Sequence, residues 1–220
     1  MRISKYGITL IRLTEEDLEL LRTKRNSEEV NSYMHFREYI TPEMQEEWFK
    51  SINNANNFYY IIEYKSEKIG LVNDKNIDWE NKISEGGLFI WENKCLNSIV
   101  PMLVSYLMIE IAFYILGWDR TFIKVIKSNK RAIDFNTALG FTIFNEEKEL
   151  DYLLMRLTRE QFEEKAEKLR QVMDRLPSNE KILLSFDQGD QLNGTQKSVE
   201  KILTYAQPEI LFNKVEIVYL

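Results

Sequence analysis

The chain has 220 residues, 44% hydrophobic and 29% charged, enough apolar surface for one packed domain with an appendage and too much for wholesale disorder. Its 35 acidic against 29 basic side chains give a formal charge of −6, an argument against non-specific nucleic-acid binding, which needs clustered cations. One cysteine excludes an intramolecular disulfide and a four-thiolate metal site, and one histidine excludes any site needing two imidazoles from one chain. The two commonest glycine-rich phosphate loops do not occur, and no metal site is expected.

Residues 1–7 have no apolar run behind a basic start and do not read as a secretory signal. Residues 8–13, rich in β-branched side chains, predict a strand. Thr14 and Asp17 give a helix N-cap signal, with Leu18, Leu20 and Leu21 continuing into the helix. Thr41-Pro42 starts a second helix, on which Met44, Trp48 and Ile52 fall four apart on one face. Residues 58–64 and 69–72 predict a hairpin around a turn at 65–68. Residues 83–91 predict a strand with Gly86-Gly87 inside it.

Residues 99–116 are apolar except for Pro101, Ser105 and Glu110, and are just long enough to span a bilayer. Glu110 near the middle and the lack of a flanking basic cluster predict instead a helix buried in the core, so neither a membrane span nor membrane binding is expected and the setting is read as cytoplasmic. Gly117 is placed to end this helix in the left-handed conformation. Residues 122–126 predict a strand, Ser128-Asn129 cap a short helix through Ala138, Gly140 breaks it, and 141–144 with 152–157 predict a final strand pair.

Beyond residue 157 the character changes. Residues 158–176 are highly charged, and Phe162, Ala166, Leu169, Met173 and Leu176 make the narrow apolar stripe of an amphipathic helix that Pro177 stops. A strand at 181–186, a polar loop at 188–194, a helix at 198–205 and a strand at 210–219 follow. This βαβ-sized unit is too small to bury its own core and is expected to dock on the main domain or on a second copy, the latter giving a homodimer. The expected division is a main domain at 1–157, a connecting helix at 158–178 and a βαβ appendage at 179–220.

Three segments then carry a resemblance. Asn129-Lys130-Arg131-Ala132-Ile133-Asp134-Phe135 followed by Leu139-Gly140-Phe141 is the most specific. Ala112-Phe113 with Leu116-Gly117 before a strand is the second, and Lys24-Arg25-Asn26-Ser27 through Tyr33-Met34 to Ile40-Thr41-Pro42-Glu43 and Trp48 is the third. Together they resemble the GNAT N-acetyltransferase family, in its branch of ribosomal-protein and nucleotide-amino-sugar N-acetyltransferases, over about residues 6–157. The resemblance implies an α+β fold, a mixed and mostly antiparallel central sheet flanked by helices. It also implies acetyl transfer from acetyl-coenzyme A to a primary amine of a small molecule, with an amino sugar as one candidate.

By that resemblance, Gly86-Gly87 would splay the strand from its neighbour, and the pantetheine arm would add to the freed backbone of Phe89, Ile90 and Trp91 as a peptide adds to a sheet edge. The pyrophosphate would sit at the start of the long helix, with Lys94, Asn97, Ser98 and Ile99 around it, and Asn129 would contact the pantetheine arm. Glu85 matches a position that often carries the carboxylate general base, and also reads as an ordinary strand carboxylate. Arg25, Asn26 and Tyr33 would hold the acceptor; Arg25 and Asn26 also read as a helix-end salt bridge and cap. Tyr33, Phe36, Tyr39, Trp48, Tyr59, Tyr60 and Trp79 could stack on a nucleotide sugar, and read more readily as core and interface. Cys95 and His35, the sole thiol–imidazole pair, have no nucleophile signature around them.

The pattern departs at three places. The family's glycine-bearing loop falls on residues 96–101, where Ile99 and Pro101 occupy the glycine positions; a Cβ blocks close approach to phosphate and proline removes an N–H donor. The family's tyrosine that protonates the leaving thiolate falls on Asn136, and a family histidine falls on Gln45. These departures support a second reading, a non-catalytic GNAT-fold protein whose closed cleft has left it a role in assembly or partner binding.

Overall fold

The structure, a computed structural model, describes residues 1–165, 167–173, 181–192, 194–204, 206 and 213–220. Strands β1 (Arg2–Lys5) and β2 (Ile8–Arg12) form a hairpin whose turn residues Tyr6 and Gly7 both have positive φ, the primed turn that matches strand twist. Helices α1 (Leu18–Asn26), α2 (Glu28–Asn31) and α3 (Pro42–Ile52) follow. Thr41 caps α3 by accepting the Met44 N–H, with Pro42 at the first turn as its sequence predicted. Next come β3 (Phe58–Tyr64), β4 (Glu67–Asp78) and β5 (Ile83–Ile90), then α4 (Asn93–Leu96), α5 (Val100–Glu110), β6 (Arg120–Ile126), α6 (Lys130–Ala138), β7 (Thr142–Asn145) and β8 (Tyr152–Thr158).

With β9 (Ile182–Phe186) and β10 (Val215–Tyr219) from the C-terminal region, the sheet among the described residues is mixed and mostly antiparallel, in the order β10-β9-β1-β2-β3-β4-β5-β6-β8-β7, with parallel pairs only at β5–β6 and β9–β10. Period-two alternation divides its side chains between two apolar clusters. One, with Leu13, Leu21, Phe49, Tyr59, Ile61 and Leu71, lies under α1 and α3. The larger packs Leu10, Ile62, Ile69, Ile123, Met155 and others against α5.

The expected helix at 99–116 is α5 extended by a π-helical turn at Ile111–Ile115, where the Leu116 N–H reaches the Ile111 carbonyl at 2.9 Å; Gly117 then turns with φ +68. Glu110 is buried, and Lys5 Nζ meets its two oxygens at 2.8 and 2.9 Å while the Tyr6 hydroxyl donates at 3.0 Å. No helix among the described residues is long and apolar enough to cross a membrane.

The C-terminal region begins with α7 (Arg159–Lys165) and α8 (Glu167–Met173), whose Phe162 and Met173 bury against the larger cluster; Ala166 and Leu176 of the expected stripe lie outside the described residues. Strands β9 (Ile182–Phe186) and β10 (Val215–Tyr219) are parallel to each other with α10 (Thr195–Leu203) between them, and β9 joins the main sheet antiparallel to β1. The polar loop expected at 188–194 contains a helix, α9 (Gln188–Leu192), because Asp187 and Asp190 cap each other reciprocally, N–H to carboxylate, at 2.9 and 3.0 Å.

Candidate functional site

The sheet opens in one place. β4 and β5 are paired from Gly70–Ile90 to Lys75–Glu85, whereas β5 and β6 share only the pairs Glu85–Phe122 and Gly86–Ile123, although β5 runs on to Ile90 and β6 to Ile126. Beyond Gly86 the ladder stops although the two strands stay neighbours, and this unladdered stretch is the slot. The register decides which main-chain groups face it. Trp91 gives its N–H to the Ile69 carbonyl at 2.9 Å, so strand alternation turns Phe89 and Trp91 towards β4, and Leu88 and Ile90 towards the slot. Of the backbone positions expected there, Ile90 faces the opening; Phe89 and Trp91 are engaged with β4, and Leu88 takes its place beside Ile90.

The two glycines differ. A Cβ on Gly86 would meet Ile123 Cγ2 at an ordinary 3.5 Å, while one on Gly87 would lie 2.7 Å from Asn73 Oδ1. Asn73 therefore lies across Gly87, on the sheet face covered by α1 and α3.

Glu85 is on that same face and largely buried, with its side chain 13% exposed. Lys75 and Lys124 each meet one of its oxygens at 3.0 Å, and Asn76 donates at 3.4 Å. Burial pushes its carboxyl up, but the hydrogen bonds and charge of the two lysines outweigh this and hold it below the usual carboxylate range. Beside it Tyr59 is pushed up to about 12, first by burial and then by Glu85, so its phenol stays protonated. Lys124 also lies 5.6 Å from the Tyr152 ring, whose edge meets His35 at 5.5 Å; His35 Nδ1 is 2.9 Å from Asp151 Oδ1. The sole histidine thus stands on the same face, whereas Cys95 is buried and its thiol held up by that burial.

On α1, Arg25 is half-buried, its guanidinium 5.7 Å from the centre of the Phe89 ring. Asn26 has both ends of its amide bound to the Ile40 main chain at 2.9 Å and so clips α1 to the loop before α3. Tyr33 is exposed on that loop.

The start of α5 offers little to an anion. The Val100 N–H is taken by Ser98 Oγ at 3.2 Å, Pro101 has none, and the Met102 and Leu103 N–H groups both reach the Ile99 carbonyl. Around it Ile99 is exposed, Lys94 pairs with Glu67 at 2.6 Å, and Asn97 and Ser98 bond to main-chain carbonyls of α4. Arg131, which the sequence did not single out, reaches from α6 to the Leu96 carbonyl at 2.5 Å. Asn129 caps α6 by accepting the Ala132 N–H at 3.0 Å, and Asn136 turns its amide back to the Ala132 carbonyl at 2.8 Å. Gln45 is buried in α3, and its Nε2 has no partner among the described residues.

The mixed, mostly antiparallel sheet flanked by helices is the fold that the sequence resemblance implied, and a family model for the acetyltransferase (GNAT) domain matches residues 8–142. The chain belongs to the GNAT acetyltransferase domain family. No curated protein matches it. Among solved structures, spermidine N-acetyltransferase from Vibrio cholerae, in complex with CoA and spermine, aligns with a TM-score of 0.62 at 19% identity, over 71% of this chain and 98% of that one. Apo FdhC, a nucleotide-linked sugar GNAT, aligns with a TM-score of 0.64 at 20% identity, over 79% of this chain and 98% of that one. A domain from Methanocaldococcus jannaschii gives 0.61 at 20% identity, over 69% and 97%. At such identities these likenesses show the GNAT fold.

A cavity of about 90 Å3 lies elsewhere, on the opposite sheet face between Trp79, Ile111 and Trp118 and the C-terminal residues Leu184, Val199 and Ile202. Its described lining is apolar apart from Tyr60 and Asp74. Burial pushes the Asp74 carboxyl up to about 7, against a hydrogen bond from Ser84. It holds none of the slot residues.

Proposed function

We propose that this GNAT protein transfers an acetyl group from acetyl-coenzyme A to the primary amine of a small molecule, with an amino sugar as the candidate that the sequence resemblance favours. The observation that carries the reading is the β5–β6 ladder ending at Gly86 while both strands continue. The open main chain of Leu88 and Ile90 suits the pantetheine arm, which would add there as a strand. When bound, acetyl-coenzyme A supplies the activated thioester carbonyl. An N–H from Leu88 or Ile90 would polarise that carbonyl and hold the developing oxyanion. Glu85 would take the proton from the amine, directly or through water; Lys75 and Lys124 fix its position and, by stabilising its ionised form, make it a weaker base than a free carboxylate.

The diphosphate end fits less well, since the first N–H groups of α5 are already engaged. Lys94, Asn97, Ser98 and Ile99 border that end, Arg131 adds a cation, and Asn129 stands at the mouth on α6. This closed helix start, with the tied-back amide of Asn136, favours the second reading of a non-catalytic GNAT-fold protein acting in assembly.

Thermal unfolding with acetyl-coenzyme A separates the two. A rise in Tm that grows with ligand concentration supports the enzyme. With an accepted amine, Glu85→Gln is expected to lower turnover more than acetyl-coenzyme A binding. No shift at millimolar ligand would leave the non-catalytic reading.

A further inference from the structure

The sheet face that holds Glu85 sets Lys75, Lys124 and Arg25 against the carboxylates of Glu85 and Asp151, an excess of cations in a chain whose formal charge is −6. Two lysines, Lys75 and Lys124, share the single carboxylate of Glu85. On α1, Arg22 is matched by Glu19 through two bonds of 2.7 and 2.8 Å, and Lys24 by Glu92 at 3.2 Å. Arg25, on the same helix, has no carboxylate among the described residues. Its one hydrogen bond there is a long 3.5 Å contact to the Phe36 carbonyl.

This guanidinium is also partly removed from water, and burial lowers it from the usual range. Desolvating a cation without a counter-ion costs free energy, so a bound anion would be favoured at that place. A guanidinium resting against an aromatic ring keeps its N–H edge free for the two-pronged grip that suits a carboxylate or a phosphate. The ring is that of Phe89, the residue between Leu88 and Ile90, whose main chain opens into the slot. Arg25 therefore stands at the mouth of the place where an amine would be acetylated.

We propose that the acceptor is an amine that also carries an oxyanion, a phosphate or a carboxylate, gripped by Arg25, and that polyamines are not substrates. The inference rests on the acetyl-transfer reading and narrows it. A polyamine would bring further positive charge against Arg25, Lys75 and Lys124 and would find Glu85 already shared.

The test is calorimetric titration of the full chain with matched probes: glucosamine 6-phosphate against glucosamine, β-alanine against propylamine, and spermidine alone. The oxyanion-bearing member of at least one pair is expected to bind about tenfold or more tightly than the amine without it, and which pair shows this tells phosphate from carboxylate. Arg25→Gln, which removes the guanidinium that lies 5.7 Å from the Phe89 ring and is expected to melt like the wild type, should remove that preference. Arg25→Lys should restore only part of it. Equal affinities within both pairs, no binding of either oxyanion-bearing amine, tighter binding of spermidine, or a preference that survives Arg25→Gln would each overturn the proposal. Acetyl-coenzyme A is titrated in the same series. A chain that ignores it but keeps the Arg25-dependent preference refutes acetyl transfer and leaves the anion site standing.

Discussion

Replacing Gly70 by alanine should damage the sheet beside the slot, whereas the same change at Gly86 should not. A Cβ at position 70 would lie 2.6 Å from the Phe89 carbonyl oxygen, and 3.1 Å from both Ile62 Cδ1 and Ile90 Cα. Two of these three neighbours are main chain and cannot rotate aside, so β4 and β5 must move apart. Overpacking of this kind costs about 1–3 kcal/mol, offset by about 0.4–1 kcal/mol because alanine restricts the unfolded chain. The net loss of about 0–2.6 kcal/mol corresponds to a fall in Tm of up to about 10 °C for a chain of this size. At Gly86 the nearest atom is 3.5 Å away, so only the unfolded-state term remains and Tm should hold or rise by about 1–4 °C. Differential scanning calorimetry reads both. Gly70→Ala should also weaken acetyl-coenzyme A binding, because the displaced Phe89 carbonyl belongs to the strand that bounds the slot. If Gly86→Ala proved the more destabilising of the two, the packing described for these strands would be refuted.

Three further outcomes follow from buried charges. Lys5→Met strands the Glu110 carboxylate, whose side chain and that of Lys5 are each 7% exposed; denaturant unfolding should show a loss of about 3–5 kcal/mol, much of it recovered in Lys5→Met/Glu110→Leu. Asp74, raised to about 7, opposes folding once its carboxyl must ionise, so Asp74→Asn should stabilise the protein at pH 8, with the gain fading as the pH falls towards about 4. A pH-independent effect would contradict that origin. Glu85 is held below the usual carboxylate range, so its contribution is complete at neutral pH and lost as the pH falls through the depressed value. Glu85→Gln should therefore destabilise at pH 7, and the difference in unfolding free energy should close below about pH 4.

Local features could be read from the sequence because they depend on neighbours along the chain. Thr41-Pro42 at α3, Asn129 as the cap of α6 and Gly117 as the stop after α5 are of this kind. The reciprocal cap of Asp187 and Asp190 was equally local, but two aspartates amid glycine and glutamine look like a polar loop. What needed the structure was register. Which of Leu88, Phe89, Ile90 and Trp91 face the slot is set by the pairing of Trp91 with Ile69, and a shift of one residue would exchange them. Lys75 and Lys124, which clamp Glu85, come from the strands on either side of it, ten and thirty-nine positions away in the chain. That Pro101 brings no N–H to the start of α5 was visible in the sequence. That Ser98 and the Ile99 carbonyl take up the remaining N–H groups was not.

If the stretch beyond Gly86 receives the thioester-bearing arm along β5, amide-resolved NMR on the full chain, titrated with acetyl-coenzyme A, will read it residue by residue. The Leu88 and Ile90 N–H signals are expected to move and become protected from exchange, while those of Phe89 and Trp91, already bonded to β4, change far less. Saturable binding that leaves Leu88 and Ile90 untouched, or no binding at millimolar ligand, would contradict it.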